Sequence, residues 1–196
     1  NNNSLTLVTK FGADAVTLTP VLVFANKNVA SGKTVSLTGS SLTGADAGNY
    51  SLSLAGAPTT TANITAKALT VSGVTVDNRA YDGSDVAALN LGSAAFVGVI
   101  GGDTVNILTG GASGLFDDKN VANDKTVTVS GITKNGADAG NYTITQPTTT
   151  ADVTPFELTI GGTFTANNKE YNALDTATIN NNSLTLVTKF GADAVT

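Results

Sequence analysis

The heptapeptide Gly-Ala-Asp-Ala-Gly-Asn-Tyr occurs twice, at 44–50 and 136–142. Its spacing Asp-x-Gly-x-Tyr brings Asp46, Gly48 and Tyr50 together in the first copy and Asp138, Gly140 and Tyr142 in the second. That pattern has the form of a tyrosine corner, in which a Tyr opening a strand folds its ring over the core and bonds through its hydroxyl to backbone a few residues upstream. Gly permits the sharp turn, Asp accepts backbone N–H groups within it, and one ring covers a large apolar area. The last point matters in a chain whose residues are only 6% aromatic. A Tyr that stacks on carbohydrate is the functional alternative to this structural role.

Carboxylates form the second candidate. Asp117, Asp118 and Asp124 sit in one short polar stretch and carry the hard oxygen donors that calcium takes. Their spacing is not that of an EF-hand, and the related stretch Ala25–Gly32 has Ala25, Asn26 and Gly32 where the acids stand. A solvated turn is therefore preferred, with no metal and no other cofactor. On an extended strand Asp117 and Asp118 would point to opposite faces rather than flank a scissile bond. The chain has no His and no Cys, which removes the usual bases, nucleophiles and transition-metal ligands, and no G-x-S-x-G elbow is present. The expectation is a protein that is not an enzyme. A Lys to Asn isopeptide bond needs residues on facing strands, which the adjacent pairs Lys27-Asn28 and Lys119-Asn120 do not supply.

The formal net charge is −5 and the few basic residues are scattered singly, so no positive stripe exists to neutralise phosphates and nucleic acid is not an expected partner. The longest apolar runs, Leu18–Phe24 and Ala94–Ile100, fall far short of a membrane span, so membrane insertion is not expected either. Absence of Cys excludes a disulfide framework and a thiolate zinc site.

The elements that position these residues follow from repetition. Residues 1–17 and 180–196 are identical, which points to a window on a tandem array with a period of 180 − 1 = 179 residues. Inside that period a more diverged echo appears: Phe24–Tyr50 aligns with Phe116–Tyr142 at 16 of 27 positions, and Ala68–Asp85 echoes Glu157–Asp175 around Tyr81 and Tyr171. Each half continues through Pro-Thr-Thr-Thr-Ala, at 58–62 and 147–151. The expected organisation is the C-terminal portion of a split module at 1–65, a complete module at 66–154, and the N-terminal portion of the next at 155–196.

Within the complete module, apolar and polar residues alternate over 69–76, 104–108, 126–132 and 142–145, followed by a Thr-rich stretch to Val153. Turn chemistry separates them at 82–84, 100–103, 109–114 and 134–140. Residues 93–100 are compatible with one helical turn or a strand. The reading is all-β: tandem small sandwiches of immunoglobulin-like form, with a β-grasp-like module as the alternative, which would require a helix.

Taken together, RAYDGSD, GVIGGDTV, LFDDKNVANDKTVTVSG, GADAGNYT and TADVTP resemble the YDG and MBG repeats of large bacterial surface adhesins of the filamentous-haemagglutinin type. The resemblance implies a stalk or spacer repeat on the bacterial cell surface, exported and built as a long array, with roles in adhesion and biofilm formation. Its implied partners are neighbouring repeats. The alternative is a module that itself binds glycan or another copy. Tyr171 stands in Glu-Tyr-Asn-Ala-Leu-Asp where the first module reads Ala-Tyr-Asp-Gly-Ser-Asp, which points to a different turn. The split module further suggests head-to-tail self-association, with Phe156–Ile160 of one copy adding to the sheet of residues 1–65 in another.

Overall fold

The structure, a computed structural model, describes residue 7 and residues 9–187, 189–191 and 193–195. Parts of the two identical end segments, Asn1–Thr6 and Val8 in one and Thr188, Ala192 and Thr196 in the other, lie outside the described residues. The architecture is all-β and sandwich-like, made of several small sheets. Two single-turn 3-10 segments, Ala47–Asn49 and Ala139–Asn141, are the only helical elements among the described residues. The helix that a β-grasp module would need is not among them.

The chain divides into two compact units. The first comprises residues 1–69, 100–105 and 136–143. Its main sheet is antiparallel, with Ala30–Ser36 between Val23–Phe24 and Thr60–Ile64. Thr17–Thr19 pairs with Ser41–Thr43 beside it. Alternation along the central strand turns Lys33 and Val35 inward and Thr34 outward, the period of two that strand geometry imposes. Val16, Leu37, Leu69, Ala139 and Tyr142 complete the buried set among the described residues of this unit.

The second unit comprises residues 70–99, 106–135 and 144–196. Its five-stranded sheet runs Arg79–Ala80, Thr148–Thr154, Ala122–Ser130, Ser113–Phe116, Val86–Ala87. All pairs are antiparallel except Arg79–Ala80 with Val153–Thr154, which is parallel. Lys125, Val127 and Val129 alternate onto the buried face, and Ala87, Phe116, Val127, Ala151 and Val153 form the core. Arg79 lies over the Phe116 ring at 5.1 Å. A bulge between Ala122 and Lys125 puts Asp124 at φ +50°, the local kink that an extra residue in one strand produces.

Several elements differ from the sequence expectation. The turn at 109–114 ends earlier, because Ser113 and Gly114 belong to a strand bonded on both sides, to Ser130–Val129 and to Ala87. Lys134 and Asn135, read as turn, pair with Ile107 and Asn106. Residues 93–100 resolve as a strand, Ala95–Val97, paired with 70–72. Phe156–Ile160, expected to join another copy, is partly engaged within the chain, since Thr159–Gly161 pairs with Thr185–Val187. The following strand, Phe164–Ala166, pairs with Ile179–Asn182.

Candidate functional site: tyrosine corners and joints between repeats

In each heptapeptide a 3-10 turn delivers the Tyr. Tyr142 follows Ala139–Asn141 and opens the strand Tyr142–Ile144; it is 3% exposed. Its hydroxyl accepts the Ile100 N–H at 3.0 Å and donates to Asp103 Oδ2 at 2.7 Å. Tyr50 does the same with Phe11 N–H at 3.0 Å and Asp14 Oδ2 at 2.6 Å. The bonded backbone thus lies about forty residues upstream rather than a few, because the partner loop comes from a distant turn and not from the corner itself. The Asp of each corner also reaches across. Asp138 Oδ2 accepts the Thr104 N–H at 3.0 Å while its own N–H donates to the Thr104 carbonyl at 3.1 Å, and Asp46 makes the same reciprocal pair with Ala15. Each Asp stands at the N-cap of its 3-10 turn, yet neither side chain bonds that turn. Gly48 and Gly140 sit inside those turns.

Beyond the corner, one repeat meets the next. In the first unit Lys27 Nζ bonds Asp103 Oδ1 at 2.9 Å and lies 3.2 Å from Asp138 Oδ1. Asn141 Oδ1 accepts the Val29 N–H at 2.9 Å. Three consecutive residues, Lys27-Asn28-Val29, therefore dock on the corner of the following repeat. In the second unit the aligned Lys119 Nζ bonds Asp193 Oδ1 at 2.9 Å, and Asp193 occupies in its repeat the place of Asp103. There the Tyr81 hydroxyl donates to Asp193 Oδ2 at 2.6 Å, and the Phe190 ring stands edge-on to both Tyr81 and Phe156.

The charges are mutually reinforcing. Lys27 holds the Asp103 carboxyl below the usual carboxylate range, helped by the Tyr142 hydroxyl, and Asp103 then Asp138 raise the Lys27 ammonium in return. Burial, with the negative Asp103 beside it, pushes the Tyr142 hydroxyl up. At the other joint Tyr81 and then Lys119 lower the Asp193 carboxyl, and Tyr81 followed by Asp193 raises Lys119.

A family model of the YDG domain matches residues 1–62 and 65–151. The chain belongs to the YDG domain family. No curated protein and no solved structure matches it.

In this YDG chain the tripeptide Tyr81-Asp82-Gly83 is itself a working turn. Tyr81 serves the joint, Asp82 Oδ1 accepts the Ser84 N–H at 2.9 Å and pairs with Arg79, and Gly83 takes φ +79°. Arg79 holds the Asp82 carboxyl below its usual range. The related Tyr171 enters the same turn rather than a different one. Asn172 Oδ1 accepts the Leu174 N–H at 3.2 Å, and Ala173 takes φ +61° where Gly83 stands. Tyr171 is nevertheless 94% exposed.

The acidic stretch of the YDG chain is arranged around a lysine. Asp117 and Asp118 lie in a bend after Ser113–Phe116 rather than on an extended strand. Both carboxylates therefore converge on one group, Lys125 Nζ, at 2.7 and 2.6 Å, which lowers both carboxyls and raises Lys125. Asp124 stands apart, its N–H bonded to Asp152 Oδ1. No group of three or more acidic residues poised for a metal occurs among the described residues. No helix among them is long and apolar enough to cross a membrane.

Sequence reasoning passed over Lys33 and Lys125. Both are buried, and Lys33 Nζ binds the Asn28 carbonyl and the Asn26 amide. The signal was present: each Lys falls on the inward register of a strand whose next inward position is a Val. It also treated Asp103 as turn chemistry alone, although a Phe or Ile followed by Gly-x-Asp recurs at 11–14, 100–103 and 190–193.

Proposed function

We propose that the chain is a structural stalk repeat of a bacterial surface adhesin, carried outside the cell, which extends a distal adhesive region and has no catalytic role of its own. One observation carries this reading: the Lys-to-Asp joint is made twice, by residues at matching positions, each time linking a repeat to the one that follows. A protein whose repeats carry their own connectors is suited to indefinite extension. The joint sets direction more than strength, because an exposed ion pair contributes little on its own and Lys27 is 69% exposed. Family membership supports the repeat character, and the family resemblance supplies the surface setting.

The test varies the number of 179-residue periods between a cell anchor and a reporter adhesin. Adhesion through a thick surface layer should rise with period number, while the purified chain binds no glycan on an array. Glycan binding by the chain alone, with adhesion indifferent to period number, would overturn the reading.

A further inference from the structure

Both joint lysines sit on turns of the same construction, each closed by a residue outside the joint. Lys27 is the middle residue of Asn26-Lys27-Asn28, where Asn26 Oδ1 accepts the Asn28 N–H at 3.0 Å. Lys119 is the middle residue of Asp118-Lys119-Asn120, where Asp118 Oδ1 accepts the Asn120 N–H at 2.6 Å. Each is an Asx turn, with the side-chain oxygen standing in for a backbone carbonyl. In both, that oxygen is shared with a buried ammonium. Lys33 Nζ donates to Asn26 Oδ1 and, at 2.7 Å, to the Asn28 carbonyl, and Lys125 Nζ donates to Asp118 Oδ1 at 2.6 Å.

The strand supplying each ammonium is shaped for it. A bulge precedes Lys33 and Lys125 alike, with a left-handed residue just before the lysine, Gly32 at φ +62° and Asp124 at φ +50°. The N–H of each left-handed residue is held at 2.8 Å by a side chain of the neighbouring strand, Asn63 Oδ1 or Asp152 Oδ1. Bulges re-aim a side chain, and here the lysine turns inward. Opposite it in register stands Ala62 or Ala151, the last residue of each Pro-Thr-Thr-Thr-Ala, whose small side chain leaves width for the lysine stem. Stability does not account for the arrangement. Lys is rarely buried, and an apolar residue in place of a buried ion is often neutral or stabilising. Nor does the charge of the acceptor account for it, since Asp117 and Asp118 stand where the other repeat has Ala25 and Asn26. What recurs is one side-chain oxygen fixed by a buried ammonium, with the joint lysine carried on the turn that oxygen closes.

We propose that Lys33 and Lys125 are the positioning residues of the joints: each pins the Asx turn that aims Lys27 or Lys119 at the Asp103 or Asp193 carboxylate of the following repeat. An exposed ion pair gains little once two long side chains must be ordered to make it. A turn fixed from inside the sheet removes part of that ordering in advance, so the joint forms in one geometry. The inference rests on the stalk reading only in that these joints connect the repeats.

Carbon-detected NMR titration of the Asp carboxyls in the full chain tests it. Lys119→Ala and Lys27→Ala serve as references, because loss of each cation should move Asp193 or Asp103 upward toward the ordinary 3.8. Lys125→Met should reproduce most of the Lys119→Ala shift at Asp193 and leave Asp103 in place, and Lys33→Met should do the converse. Combining Lys119→Ala with Lys125→Met should add little to either alone, as for residues acting through one contact. Asp118→Ala, a change at a half-exposed side chain, should move Asp193 as Lys125→Met does. Asp118→Asn removes the same charge but keeps the oxygen, as Asn26 does, and should leave Asp193 unmoved; so should Asp117→Ala, which copies Ala25. An Asp193 midpoint indifferent to Lys125→Met and Asp118→Ala, one that moves equally with Asp118→Asn, or Asp103 and Asp193 shifted together by either lysine variant, overturns the proposal. Glycan binding, which would count against the stalk reading, leaves these outcomes unchanged.

Discussion

Gly136→Ala and Gly140→Ala place the same methyl group four residues apart in one heptapeptide, and the structure assigns them opposite outcomes. Gly136 has φ +120°, and a Cβ there would stand 2.3 Å from the Thr104 carbonyl oxygen, 2.9 Å from its carbon and 3.2 Å from the Val105 Cα. All three are backbone atoms, so no side chain can swing aside. Holding a non-Gly residue in such a conformation costs about 1–3 kcal/mol. Relieving the clash by opening the corner forfeits the reciprocal Asp138–Thr104 bonds, at about 1 kcal/mol each. Gly136→Ala should therefore destabilise by about 3–5 kcal/mol. Gly140 has open space at its Cβ position and should change stability by less than about 0.5 kcal/mol. Urea melts followed by circular dichroism at constant m decide the matter. Gly44 and Gly48 repeat the contrast, with a Cβ at Gly44 only 2.0 Å from the Ala15 carbonyl oxygen. Equal effects at 136 and 140, or a cost below about 1 kcal/mol at Gly136, would refute the corner as a clamp.

Three further outcomes are expected. Stability should be level across neutral pH and fall in acid. Asp103, Asp117, Asp118 and Asp193 are held below their ordinary value of 3.8, so their stabilisation is present above that value and is lost as pH drops through the lower folded values. Lys27, Lys119 and Lys125 are raised above 10.5; theirs is present below 10.5 and lost at higher pH, and melts across the range would show both edges. Phe116→Ala should cost about 3–5 kcal/mol in urea melts because the ring is core, while Leu115→Ala, facing the other way at 47% exposure, should cost far less. Excess chelator should leave Tm unchanged and added calcium should not raise it, since Lys125 already takes Asp117 and Asp118; a rise of several degrees would reveal a bound ion.

The strands were legible where one face is buried. The alternation of 126–132 reads directly onto the buried Val127 and Val129, because period-two patterning and burial share one cause. Ser113–Gly114 was hidden because a small residue followed by Gly carries turn chemistry in sequence, and only pairing on both sides makes it a strand. The corner Tyr and Asp were legible as types and spacing. Their partners were not, since Ile100, Asp103 and Thr104 reach them through chain closure over some forty residues, which local patterning does not encode. The joints were harder still. Lys27 and Lys119 drew notice as neighbours of Asn, yet their acceptors are contributed by the following repeat, a relation visible only when aligned positions are seen in contact twice.

Small-angle X-ray scattering on chains of one, two and four 179-residue periods tests the stalk claim most directly. If the Lys-to-Asp joints fix each repeat to the next, the maximum dimension should grow by a constant increment per period, and Lys27→Ala with Lys119→Ala should soften that growth. Growth with roughly the square root of period number, as for units on flexible linkers, and indifferent to the two Lys, would contradict the account.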